Sequence, residues 1–132
     1  MNLIEETQFS LEVWNLLPKT SVNSAIQMTE KEVAWNKSDS FSVINTFQKA
    51  EIAVTGIEFF YFNNRRKQIF ATSDIFASNN KENESWREFV LRSNEMANIF
   101  VNELKFDSER LQRGEPIFNI WAFNREEYFI LI

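Results

Sequence analysis

The sequence predicts an α+β fold, in which a mainly antiparallel sheet built from two hairpins packs against a long amphipathic helix and shorter N-terminal helices. Two stretches, Ile52–Phe62 and Ile117–Phe123, are nearly continuous apolar runs, as in strands covered on both faces. A third stretch, Glu84–Lys105, repeats its apolar residues at helical spacing. The chain has 132 residues, two glycines and two prolines, so we expect one α+β domain over residues 1–132.

The N-terminal segment is predicted to form a short helix. Its apolar side chains recur at helical spacing, at Leu11, Trp14 and Leu17. The helix is expected over Phe9–Leu17, because Pro18 disfavours helical backbone in the residue before it. The polar residues 19–32 fit either a packed loop or a short strand around Ile26 and Met28.

A second helix is predicted to begin near Ser38 and Asp39, because both side chains are good N-caps. Its apolar face is formed by Phe41, Ile44 and Phe47. The helix should end near Lys49, since a positive charge suits a helix C-terminus.

Both predicted hairpins join two apolar strands through a polar turn. In the first, Ile52–Phe62 is followed by the turn Asn63–Arg66 and a returning strand, Gln68–Thr72. In the second, Ile117–Phe123 is followed by a final strand, Tyr128–Ile132. A bare apolar edge recruits other chains, so we expect the final strand inside the sheet or covered by a partner.

The longest helix is predicted over Glu84–Lys105. Its stripe should bury five residues, namely Trp86, Phe89, Ala97, Phe100 and Leu104. Trp86 and Phe100 are therefore expected to be structural. The opposite side carries three acids, at Glu84, Glu88 and Glu95. Glu88 is expected to pair with Arg92, four residues later, for a few tenths of a kcal/mol.

The core is expected to consist mostly of aromatic rings, because the chain has 14 Phe, four Trp and two Tyr. Three tryptophans fit the predicted core stripes, namely Trp14, Trp86 and Trp121. Trp35 is the least anchored of the four, and the pattern assigns it no function.

The composition argues against most kinds of catalytic site. The chain has no cysteine and no histidine, so it lacks disulfides, thiolate metal sites and the commonest general base. It also lacks a glycine-rich phosphate loop and a metal-ligand spacing. We therefore expect no catalytic residues, no cofactor and no metal. Hydrolysis by carboxylates alone is the one enzymatic reading left open.

Charge and hydropathy restrict the partners and the location. Fourteen Lys and Arg against 19 Asp and Glu give a net charge of −5, and without a long basic run we expect no nucleic-acid partner. No stretch approaches the roughly 20 apolar residues of a membrane span, so no membrane partner is expected. Residues 1–6 lack the pattern of a signal peptide, which favours a cytoplasmic protein.

Gly56 and two carboxylates are the candidate functional residues of the first hairpin. A glycine inside a strand marks a bulge or a close approach. Gly56 is therefore predicted to be structural, either under a neighbouring ring or at a kink that aims Glu58 outward. Asp74 follows the second strand, where it fits a cap or a turn. A symmetric hairpin places Ala71 or Thr72 opposite Glu58, so the two acids can share a site only if the hairpin contains a bulge.

Four segments of the chain carry a family resemblance. They read Val-Ala-Trp-Asn-Lys at 33–37, Ile-Ala-Val-Thr-Gly-Ile-Glu at 52–58, Ala-Thr-Ser-Asp at 71–74, and Glu-Ser-Trp-Arg-Glu-Phe-Val-Leu-Arg-Ser at 84–93. In this order they resemble a family of small predicted bacterial immunity proteins that are found beside polymorphic toxins. The resemblance covers about residues 33–104.

The family carries a Gly-Gly-Asp segment in one strand, a Tyr-Asp-Asn-Trp segment in the next, and Arg-Ser in the following helix. Here Ile57 stands at the second glycine, Glu58 stands at the aspartate, and residues 73–76 keep only the central acid.

The resemblance implies a non-catalytic protein that binds and neutralises a cognate protein toxin. An acidic surface can dock on a basic toxin cleft, because complementary charge speeds association. The candidate contacts are Glu58, Asp74, Glu84, Glu88 and Glu95. The alternative is a stand-alone structural or regulatory module that forms a homodimer through a strand edge or exposed rings.

Overall fold

The computed structural model describes residues 6–131 of the chain. Six helices and five strands follow one another in this part: α1 Leu11–Trp14, α2 Lys19–Ser24, β1 Ile26–Thr29, β2 Glu32–Ala34, α3 Lys37–Lys49, β3 Ala53–Asn63, β4 Gln68–Ala77, α4 Trp86–Glu103, α5 Ser108–Leu111, β5 Glu115–Phe123 and α6 Arg125–Leu131. All strand pairs are antiparallel, and the long helix α4 packs on the sheet. The predicted α+β class is confirmed.

β3 is the central strand of a three-stranded sheet, with β4 on one side and β5 on the other. β1 and β2 form a second hairpin, which is joined to the free side of β5 by one backbone bridge between Trp35 and Phe118. The two N–H···O distances of this bridge are 3.0 and 2.7 Å. Beyond it, the Gln8 amide accepts a hydrogen bond from Val33 N–H at 3.0 Å and donates to the Ile120 carbonyl at 2.9 Å.

Helices α3 and α4 cover one face of the sheet and enclose the main core with it. The sheet contributes Val54, Ile57, Phe59, Tyr61, Phe118 and Ile120, and the helices contribute Val43, Ile44, Phe47, Ala97 and Val101. Phe9, Val13, Trp14 and Leu17 from the N-terminal segment also belong to this cluster. The rings are in direct contact, with centroids 5.1 Å apart for Phe59 and Phe118 and 5.5 Å apart for Phe9 and Phe47. The predicted contribution of aromatic rings is present, but the expectation that rings make up most of the core is wrong, because the cluster holds more aliphatic than aromatic side chains.

α4 also completes the edge of β3. β4 ends opposite Gly56, so the preceding residues of β3 have no strand partner on that side. Two fully buried side chains of α4 replace the strand: Ser93 donates a hydrogen bond to the Val54 carbonyl, and the Asn94 amide accepts one from Val54 N–H at 2.8 Å and donates one to the Ile52 carbonyl at 2.9 Å. These hydrogen bonds fix the position of α4 relative to the start of β3.

The predicted final strand is wrong, because Arg125–Leu131 is helix α6 and Ile132 lies outside the described residues. Asn124 and Glu127 cap each other at its start. The Glu127 N–H donates to the Asn124 side chain at 2.8 Å, and the Asn124 N–H donates to the Glu127 carboxylate at 3.0 Å. This reciprocal cap overrides the β-like composition of the apolar run that follows. The second hairpin of the fold is consequently β1–β2.

Other element boundaries differ from the prediction for local reasons. The first helix is a single turn capped by Ser10, and Leu11 points outward with 70% exposure. α3 is capped by Asn36 rather than by Ser38 or Asp39, and the Asn36 side chain accepts the Asp39 N–H at 2.9 Å. β4 extends five residues beyond Thr72, because a bulge lets it stay paired with β3.

Two predictions about buried residues need correction. Of the five residues of the predicted stripe expected in the core, Phe89 and Ala97 are fully buried, while Trp86, Phe100 and Leu104 are only partly buried. Trp86 and Phe100 lie at the margins of two clusters, where Trp86 packs on Tyr128 and Phe100 packs on Phe76. Trp35, the least anchored tryptophan in the sequence, is fully buried, and its indole N–H donates to the Ser21 carbonyl at 2.8 Å.

Candidate functional site

The face of the sheet turned away from α3 and α4 is uncovered over its middle, and we call it the open sheet face. Its residues alternate along the strands with the core residues. They are Gly56, Glu58 and Phe60 in β3, Ile75 and Ala77 in β4, and Trp121 in β5; Asn119 of β5 lies on the same side of the sheet but is fully buried. Ile75 is 64% exposed, Glu58 and Ala77 are exposed, and Phe60 and Trp121 are half-buried. An apolar and acidic surface therefore lies beside the central strand.

A bulge in β4 places Asp74 one residue away from the position opposite Glu58. Glu58 pairs with Ile75 and Phe60 pairs with Ala71, so β4 has two extra residues over this interval. The Thr72 hydroxyl holds the bulge by donating to the Phe59 carbonyl at 2.8 Å. Asp74 lies exposed in the bulge, next to the residue directly opposite Glu58. The condition for a shared site, a bulge, is thus met, although Asp74 is not the direct partner of Glu58.

Trp121 is held in a fixed orientation on the open sheet face. Its indole N–H donates to the Asn119 side-chain oxygen at 2.6 Å. Asn119 is fully buried, and its amide donates in turn to the Val33 carbonyl at 2.8 Å. The polar atom of the indole is therefore satisfied inside the protein, and the exposed part of the ring is apolar.

Gly56 lies next to Trp121, at a second bulge in the pairing of β3 with β5. Its φ is not positive, and a Cβ at this position would lie 3.5 Å from the Phe76 carbonyl oxygen and 3.8 Å from Trp121 Cβ, which is ordinary contact. Neither space nor backbone conformation by itself excludes a side chain at this position. The close approach expected at Gly56 occurs at Gly114 instead, where a Cβ would lie 2.7 Å from the Phe62 carbonyl carbon.

The acids at the start of α4 are engaged in local contacts. The Arg92 guanidinium binds both carboxylate oxygens of Glu84, at 2.7 and 2.8 Å, and also donates to the Asn79 carbonyl at 2.7 Å. Its hydrogen bonds, helped by the Lys81 backbone N–H, lower the pKa of the Glu84 carboxyl to about 2. The expected pair between Glu88 and Arg92 does not form.

Glu88 is instead part of a capping box with Ser85. The Glu88 carboxylate accepts the Ser85 N–H at 3.0 Å, and the Ser85 hydroxyl accepts the Glu88 N–H at 3.1 Å. Hydrogen bonding from Ser85, first of all from its backbone N–H, lowers the pKa of the Glu88 carboxyl. Glu88 is exposed, whereas the Glu84 side chain is only 11% exposed, and both carboxylates already hold the start of the helix.

The last candidate acid, Glu95, lies on the outer surface of α4. Around it are three apolar side chains that are 45–46% exposed, namely Leu91, Met96 and Ile99. Because the inner side of α4 packs on the covered face of the sheet, Glu95 and Glu58 lie on opposite sides of the sheet. The five predicted contacts therefore do not form one surface.

A cleft of about 890 Å³ lies between α2, β1 and the turn that joins β3 to β4. Its apolar floor includes Trp14, Met28 and Phe62. Its charged lining residues are two lysines and two glutamates, Lys19, Lys67, Glu30 and Glu115, so their formal charges cancel. The cleft offers no charge preference for a ligand.

Two further kinds of site find no support in the part of the chain that the structure describes. Among residues 6–131, no three acidic side chains converge so that they could hold a metal ion. Over the same residues, no helix combines the length and the apolar character that crossing a bilayer requires.

Comparison with known proteins decides the family. The family model described as Immunity protein 40 matches residues 21–127, which is most of the chain. The chain belongs to the Immunity protein 40 family. The match contains the open sheet face, α3, α4 and β5, and it agrees with the resemblance to immunity proteins. No curated protein and no solved structure shows significant similarity to the chain.

The structure gives the segments behind that resemblance different roles. Arg92 and Ser93 bind the loop before α4 and the edge of β3, so in this protein the Arg-Ser segment organises the fold. Gly56 and Glu58 lie on the open sheet face. Sequence reasoning missed Asn119, which supports Trp121, because an asparagine in an apolar strand reads as an isolated polar residue. A signal was present in the spacing, since Asn119 and Trp121 are two residues apart and share a face.

Proposed function

We propose that this Immunity protein 40 family member acts in the cytoplasm as a non-catalytic protein that binds and neutralises a cognate bacterial toxin. The observation that carries the proposal is the family match over residues 21–127. The surface is compatible with such a role, because exposed carboxylates lie beside exposed apolar side chains on two sides of the molecule. Interfaces combine apolar contact with polar groups in this way.

Neutralisation by binding requires affinity and speed rather than chemistry. The net charge of −5 favours a toxin with a basic surface, since complementary potentials raise the association rate. Surface charges farther apart than about 8–10 Å are screened near physiological salt, so association should slow as salt is added. The part of the rate that depends on salt measures the electrostatic contribution.

The direct test is co-expression with the product of the gene immediately upstream. If that product is a cognate toxin, it should arrest growth alone, the present protein should restore growth, and the two should co-purify as a stable complex. A matched control carries Phe59→Ala, which empties a buried core site and should weaken rescue by destabilising the fold. An upstream product that is harmless alone and is not retained by the protein would refute the proposal.

The alternative is a structural or regulatory module that pairs with a second copy of itself. The observation favouring it is the exposed apolar side of α6, where Phe129 is 49% and Ile130 is 82% exposed. Exposed apolar patches mark interaction sites. Light scattering should then show a dimer that Ile130→Glu converts to a monomer, whereas a monomeric wild-type protein at all concentrations would exclude this alternative.

A further inference from the structure

We infer that the open sheet face seats a lysine or arginine side chain of the toxin in a shallow notch beside Glu58. This inference rests on the proposed function, because it names where and by what chemistry the toxin is held. The floor of the notch is formed by Gly56 and Ala77, which pair with each other across β3 and β4. Glu58, Ile75 and Trp121 surround it, as paired or neighbouring residues of the same face.

The charge of the open sheet face selects a cation. Within residues 6–131 the Glu58 carboxylate takes part in no hydrogen bond or ion pair, and it is exposed. The face positions of β3, β4 and β5 hold no lysine and no arginine. Asp74 adds a second exposed carboxylate at the bulge. A partner that brings a positive side chain to Glu58 therefore meets complementary charge and no competing cation.

The ring of Trp121 is preorganised for contact with a partner. Its N–H already has a partner in Asn119, so a toxin side chain can bury the exposed ring without leaving a donor unsatisfied. The bond also fixes the ring, which lowers the entropy lost on binding. Glu58 and Trp121 form a diagonal pair across β3 and β5, about 7–8 Å apart at the backbone. One cation can thus contact both the carboxylate and the aromatic face, which favours cations by its quadrupole.

The glycine explains why there is room. A Cβ at Gly56 would make only ordinary contacts, so packing and backbone conformation do not demand glycine at this position. Because Gly56 has no side chain, only backbone lies between its two strand partners, Trp121 and Ala77. We therefore assign Gly56, which the sequence predicted to be structural, to toxin recognition.

The outer surface of α4 fits this role less well. The carboxylates of Glu84 and Glu88 already accept hydrogen bonds from Arg92 and Ser85, so a toxin would have to compete for them. Glu95 lies among flexible aliphatic side chains, which lose more rotamer freedom when they are immobilised than a fixed ring does. The open sheet face is the better preorganised of the two.

The test uses the full-length protein and, as probe, the polypeptide encoded by the upstream gene, with its own activity silenced by mutation. Titration calorimetry at two salt concentrations compares wild type with Glu58→Gln and Gly56→Ala on the open sheet face. Glu95→Gln tests the opposite surface, and Glu109→Gln on exposed α5 is the matched charge control. Melting temperatures of all variants are measured in parallel.

We expect Glu58→Gln to weaken binding at least about tenfold and to reduce its salt dependence. Gly56→Ala should weaken binding about three- to tenfold without lowering the melting temperature, whereas Glu95→Gln and Glu109→Gln should stay within about twofold. Glu58→Lys should bind again when one toxin lysine or arginine is changed to glutamate. If the wild type binds the toxin and Glu58→Gln binds it equally well, the proposed binding site beside Glu58 is wrong, while the proposed function stands. If the wild type does not bind this polypeptide, both the proposed binding site and the proposed function are wrong.

Discussion

The two faces of β3 are built from the same run of residues and follow opposite rules. The covered face places Ile57, Phe59 and Tyr61 against α3 and α4, and each of these side chains is at most 2% exposed. The open sheet face alternates with it and carries Gly56, Glu58 and Phe60. One strand therefore supplies both a close-packed core and an accessible surface, because successive side chains point to opposite sides.

An apolar run is therefore not evidence that a strand is buried on both faces. The sequence of β3 reads as a strand covered on both faces, yet only one face is covered along its whole length. On the other face the rings at the Phe62 end pack under β1, while the middle is open. A carboxylate and a glycine within an aromatic run are the residues that distinguish the open part.

The largest expected effect on stability comes from comparing two neighbouring phenylalanines that lie on opposite faces of β3. Phe59→Ala should reduce the free energy of unfolding by about 3–5 kcal/mol, because a fully buried ring leaves a cavity in a rigid core. Phe60→Ala, one residue away on the half-exposed side, should cost about 1–2 kcal/mol. Urea melts of both variants give the comparison directly. Equal losses would show that the open sheet face is buried in solution.

A somewhat smaller effect tests how α4 closes the edge of β3. Asn94→Ala should cost about 2–3 kcal/mol, because it leaves the Val54 N–H and the Ile52 carbonyl without partners in a buried place. Asn102→Ala, at an exposed position of the same helix, is the matched control and should change stability by less than about 0.5 kcal/mol. Similar melts for the two variants would mean that water or a shifted backbone replaces the Asn94 bonds.

A third effect depends on pH and tests the clamp between Arg92 and Glu84. The pKa of Glu84 is about 2 in the folded protein and near 4.5 when the group is free, so between these values the unfolded chain binds more protons. The contribution of Glu84 is therefore complete above about pH 4.5 and is lost as the pH falls toward 2.

The measurement compares melting temperatures of wild type and Glu84→Gln between pH 7 and pH 2. The wild type should be the more stable protein at pH 7, and the difference should shrink as the pH falls below about 4.5. Glu103→Gln, an exposed residue at the end of α4, should follow the wild type over the whole range. A difference that stays constant down to pH 2 would show that the hydrogen bond does not depend on the charge of Glu84.

The sequence predicts those elements of the fold that depend on interactions between residues close together in the chain. α3, α4 and the hairpin of β3 and β4 were predicted because periodicity and turn residues are local signals. α6 was missed, although its cap was readable in Asn124 and Glu127, because the apolar run after them has β-forming composition. The burial of Trp35 depends on a bridge to Phe118, 83 residues away, and such contacts leave no local pattern.

The candidate site was predicted in pieces. Glu58 and Asp74 were selected as acids in an apolar hairpin, but their relation depends on a bulge whose position side-chain pattern alone does not give. The support of Trp121 by Asn119 and Val33 links β5 to β2 through a bond between strands that are far apart in the chain. The sequence therefore predicted the acidic residues of the surface, Glu58 and Asp74, but not the hydrogen bonds that orient Trp121.

The smallest expected effect on stability is at Gly56. Gly56→Ala should change the free energy of unfolding by less than about 0.5 kcal/mol, because the new Cβ meets only ordinary contacts and alanine costs less backbone entropy than glycine. The control is Gly114→Ala, which places a Cβ within 3 Å of three Phe62 backbone atoms and should cost about 1–3 kcal/mol. Thermal melts of the two variants decide between a glycine needed for packing and one that leaves space on a surface. If Gly56→Ala were destabilised as much as Gly114→Ala, Gly56 would belong to the fold, and the notch beside Glu58 would be a by-product of packing.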